Sequence, residues 1–77
     1  MNMPMDKFRI LKDLDVEAAR PAFVALVGEP IQEPGKGDPI LASLHKARIM
    51  AGRVFNGRER AMSADWLIRN GYEVPTK

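Results

Sequence analysis

Half of this chain's prolines and glycines fall within twelve residues: Gly28, Pro30, Pro34, Gly35, Gly37 and Pro39. No helix or central strand crosses such a segment, because proline removes a backbone donor and glycine resists ordering. Residues 28–39 are therefore read as a loop, and ordered elements must lie on either side. A loop this long in so small a domain is either a flexible connector or a binding loop that orders on contact.

Before the loop, Val16, Ala19, Phe23, Leu26 and Val27 recur at helical spacing, with Asp15 placed to cap and Gly28 to stop. A helix is expected over residues 15–27, with Pro21 on its outer face, where it would kink or split the element. After the loop, Asp38-Pro39 pairs a capping carboxylate with the residue best tolerated in a first helical turn. The helix it opens is expected to reach residue 55, burying Ile40, Leu44, Ala47, Ala51, Val54 and Phe55 on one face and exposing Ile49 on the other. Asn56 with Glu59 reads as a capping box, and Asn70-Gly71 as a left-handed stop, so a third helix is expected over 57–70 after a very tight turn. Its apolar residues form two faces, Ala61, Ala64, Leu67 and Ile68 on one and Met62 with Trp66 on the other. Tyr72 is expected to fold back over Leu67 or Ile68. Residues 7–11 alternate well enough for a short strand but equally fit a lead-in to helix.

The expected fold is thus mostly α, one small three-helix domain with a Pro/Gly-rich loop. At 77 residues it buries roughly 60–65% of its unfolded surface, so its own core is small. With no cysteine and a single histidine, neither a disulfide nor a thiolate zinc site can reinforce it, which leaves association with another chain. No metal or cofactor is expected. No segment has the length of a membrane span, and Met1 to Met5 lack the basic and apolar regions of a secretory signal, so the expected compartment is the cytoplasm.

Catalytic patterns fail on inspection. Ser43 and His45 point about 200° apart on a helix, while Ser63 and His45 would have to be brought together by tertiary packing that the spacing does not announce. Asp13, Asp15 and Glu17 lack the glycine and glutamate of a calcium loop, and Gly35-Lys36-Gly37 lacks the remainder of a phosphate loop. The acids instead suit the positive end of a helix.

Charge is uneven. Residues 1–38 hold five Lys/Arg against seven Asp/Glu, net −2, and residues 39–77 hold seven against three, net +4. Two functional expectations follow. The first is a non-enzymatic interaction protein that binds and regulates or inhibits a protein partner, as a homodimer, through Ile49, Met62, Trp66, Lys46 and Arg53, of which the aromatic, methionine and arginine are types enriched at interface centres. The second is nucleic-acid binding through Lys46, Arg48, Arg53, Arg58 and Arg60. A helix-turn-helix alignment on Gly57 puts Arg53 where a small residue is needed, which counts against that motif.

Overall fold

The computed structural model describes residues 15–75. Three helices follow in order, α1 (Val16–Val27), α2 (Pro39–Met50) and α3 (Gly57–Arg69), with a 3-10 turn at Gly52–Val54 between the last two. The described residues contain no strand, and the short strand considered for residues 7–11 lies outside them.

The central element is α2, against which both α1 and α3 pack. From α1 come Val16, Ala19 and Phe23, and from α2 Ile40, Leu44 and Ala47; Phe55 closes this core, with Val24, Leu41 and Ala51 around it. Pro21 sits inside α1 on its exposed side without splitting the helix. Contrary to expectation, Leu26 and Val27 are exposed. The reason lies in the antiparallel run of α1 and α2: Arg20 already reaches Asp38 at the start of α2, so the last turn of α1 extends past its neighbour.

Local capping chemistry sets the helix ends. One oxygen of Asp38 accepts from the N–H groups of Ile40 (2.7 Å) and Leu41 (3.2 Å), and the other accepts from Arg20 Nε at 2.7 Å. Burial pushes the Asp38 carboxyl up, but these donors outweigh it and hold the group below its ordinary value. Asp15 occupies the cap position of α1 without using its side chain as a cap; that carboxylate turns to Arg48 instead. Helix α2 ends at Met50 rather than residue 55, because Gly52 takes a left-handed conformation (φ 64°) and the chain tightens into the 3-10 turn. That change of pitch swings Val54 outward, 61% exposed, while Phe55 returns to the core.

The capping box of α3 is present, with Glu59 N–H donating to Asn56 Oδ1 (2.8 Å) and Asn56 N–H donating to Glu59 Oε1 (3.3 Å). At the other end Tyr72 N–H reaches Leu67 O and Gly71 N–H reaches Ile68 O, the paired bonds of a Schellman stop, with Gly71 at φ 86°. The Tyr72 ring stacks on Trp66, and its hydroxyl donates to Gly37 O at 2.7 Å. Gly37 also donates its N–H to Asn70 O, and the Asn70 side chain occupies the place where a Cβ on Gly37 would stand. The far end of the Pro/Gly-rich loop is thereby clipped to the end of α3.

Candidate functional site

Between α2 and α3 lies a buried polar junction. The Ser63 hydroxyl, wholly inaccessible, is 2.8 Å from His45 Nδ1 and accepts a hydrogen bond from Arg48 Nε, also at 2.8 Å. Arg48 is 5% exposed and extends Nη1 to Asp15 at 3.4 Å, which ties the start of α1 to the same cluster. A guanidinium can only donate, so Ser63 Oγ must accept from Arg48. The assignment that leaves Ser63 donating to Nδ1 places the ring proton on Nε2. In either tautomer His45 Nε2 is buried without a partner among the described residues. Burial first, then the Arg48 charge, lowers the His45 pKa to about 4, and Asp15 opposes them more weakly.

Above this junction the aromatic rings form a column. His45 stacks on Trp66 with centroids 4.7 Å apart, and Trp66 stacks on Tyr72 at 6.2 Å. The ammonium groups of Lys36 and Lys46 lie 5.2 and 5.3 Å from the Tyr72 centroid.

Beside the column is a groove of about 320 Å3. Asp15, Val16 and Glu17 from the start of α1 line one side, and Met62, Asp65, Trp66 and Arg69 line the other; His45 and Arg48 of α2 complete it. The α3 residues are spaced i, i+3, i+4, i+7, one stripe of the helix. Among the described residues there is no group of three or more His, Cys, Asp or Glu side chains that could hold a metal ion. The Ser63–His45 pair resembles a nucleophile and base only in its distance, since the hydroxyl has no exposed surface and, among the described residues, no carboxylate orients His45 Nε2.

The residues singled out from the sequence fall in different places. Met62 is 57% exposed at the groove, whereas Trp66 is half-buried within the aromatic column. Ile49 is half-buried rather than exposed, because it follows His45 by one turn on the side of α2 that meets α3. Lys46 lies over Tyr72, and Arg53 is exposed in the 3-10 turn. Of the remaining basic residues, Arg58 is exposed, Arg60 donates to Phe55 O, and Arg48 is withdrawn into the junction and cannot join a basic surface.

The orientation of α3 also departs from the apolar projection. Leu67 is buried as expected and Ala64 half-buried, but Ala61 is exposed and Ile68 is 65% exposed. Ser63 takes the inward place because it joins both polar side chains of α2. The sequence signal for this was the pair Ser63 and Leu67 at i, i+4, which a purely apolar count passes over. No helix among the described residues is long and apolar enough to cross a membrane. No protein-family model, curated protein or solved structure matches the chain.

Proposed function

We propose that this chain is a small, non-enzymatic helical interaction protein of the cytoplasm that binds and regulates or inhibits a protein partner, acting as a homodimer. The observation that supports it is the exposure of Met62 and Ile68 on α3, whose inward face is already taken up by α2. Met62 stands at the rim of a groove with an aromatic wall, a combination suited to a partner side chain. The test is solution mass by light scattering from micromolar to millimolar concentration, together with thermal melting, for the wild-type chain and Met62→Glu. The wild-type mass should rise with concentration and the variant should remain monomeric with Tm changed by less than about 3 °C, since its side chain is outside the core. The same variant should lose proteins that co-purify with the wild type. A variant that loses stability instead of association returns Met62 to the core.

Nucleic-acid binding is the second reading, favoured by one arrangement: Lys36 and Lys46 converge on Tyr72, an aromatic ring of the kind on which bases stack. Labelled single-stranded and duplex oligonucleotides should then bind at low salt, release steeply as salt rises, and bind several-fold more weakly to Arg53→Gln/Arg58→Gln. Absence of binding at low salt removes this reading.

A further inference from the structure

Four exposed residues of α3, Arg58, Ala61, Met62 and Asp65, follow one another at i, i+3, i+4, i+7. They form a stripe on the side of the helix turned away from the buried Ser63 and Leu67. The stripe is complementary to itself when reversed, with a cation at one end, an anion at the other, and a small and a large apolar side chain between. We propose that the homodimer forms by antiparallel packing of α3 on α3 of a second copy, about a two-fold axis that passes between Ala61 and Met62. This rests on the homodimer reading above and specifies its geometry.

In that arrangement Arg58 faces Asp65 of the other copy, and the contact occurs twice, as two-fold symmetry requires. Ala61 faces Met62, so the small residue leaves room for the long flexible one and the helix axes can approach. A parallel pairing would set Arg58 against Arg58 and Asp65 against Asp65, a repulsion at both ends. The charges near the stripe permit the exchange. Asp65 already accepts from Arg69 at 2.9 Å, but both side chains are about two-thirds exposed, and an exposed pair of this kind contributes little. Its carboxylate has a further oxygen to offer Arg58. Arg58 has no ion pair among the described residues.

The experiment is sedimentation equilibrium on the full chain and on Arg58→Asp, Asp65→Arg and the double exchange, with circular dichroism melts to establish that each variant folds. Each single reversal puts like charges opposite each other twice and should weaken the dimer roughly tenfold or more, and the double exchange should restore it to within about threefold of wild type. A wild-type dimer unaffected by either single reversal overturns this geometry and leaves the dimer reading standing on another face. A wild-type chain that is monomeric at millimolar concentration overturns both, and the stripe then belongs to a different protein.

Discussion

Replacing Ser63 with alanine should destabilise the domain by about 2–4 kcal/mol, because it strands two buried groups at once: the Arg48 Nε donor and His45 Nδ1. The change in helix propensity at the site is a few tenths of a kcal/mol in favour of alanine and cannot offset this. For a domain of this size the loss corresponds to a fall in Tm of roughly 10–25 °C. The informative comparison is with a variant in which the whole junction is made apolar, His45→Phe, Arg48→Met and Ser63→Ala together. Phenylalanine keeps a ring against Trp66, methionine fills the stem of Arg48, and Asp15, being mostly exposed, tolerates the loss of its partner. Removing every member of a buried polar cluster is often neutral or stabilising, whereas removing one is costly. The triple variant should therefore recover most of the stability that Ser63→Ala loses. Equilibrium denaturation of both variants decides the matter, and a Ser63→Ala change under about 0.5 kcal/mol would mean that water satisfies the stranded groups.

The same junction explains which parts of the fold could be read from sequence. Asp38-Pro39, the Asn56 and Glu59 capping box and the Asn70-Gly71 stop were legible because each satisfies orphan backbone groups within a few residues of itself. The facing of α3 was not. Hydrophobic periodicity chose Ala61, Ala64, Leu67 and Ile68, but orientation was decided by two polar side chains that reach Ser63 from fifteen and eighteen residues away. The long-range partner of Tyr72 was not legible either: the local rule for a residue after a glycine stop looks one turn back, and says nothing of the Gly37 carbonyl or of stacking on Trp66. Arg48 was counted as a surface cation from its position in a basic run, although a guanidinium can be buried where a serine and a carboxylate meet its donors. The Val54 error has a different origin, since the single left-handed residue Gly52 changed the pitch on which the projection depended.

Stability should fall steeply between pH 6.5 and pH 4, and the cause should be His45. In the unfolded chain its imidazole takes up a proton near its ordinary pKa of 6.5; in the folded chain it resists until about pH 4, because burial and the adjacent Arg48 disfavour a second positive charge. Over that interval the unfolded state binds more protons than the native one, so acid favours unfolding. The contribution is complete above pH 6.5 and lost as pH drops toward 4, on the order of 3 kcal/mol in all. Against a total stability of about 5–15 kcal/mol typical of such domains, roughly a fifth or more disappears. Asp38 has the opposite kind of shift, a carboxyl held below its ordinary value, and its loss falls at lower pH, as acid passes below the usual carboxylate range. The two effects separate in a pH series of denaturant melts on wild type and His45→Phe, where the variant should be nearly flat from pH 7 to pH 4. A slope that persists in the variant would assign the acid sensitivity elsewhere. Because His45 and Ser63 join α2 to the helix that carries Met62, association of the wild-type chain should weaken over the same interval, in step with the loss of stability.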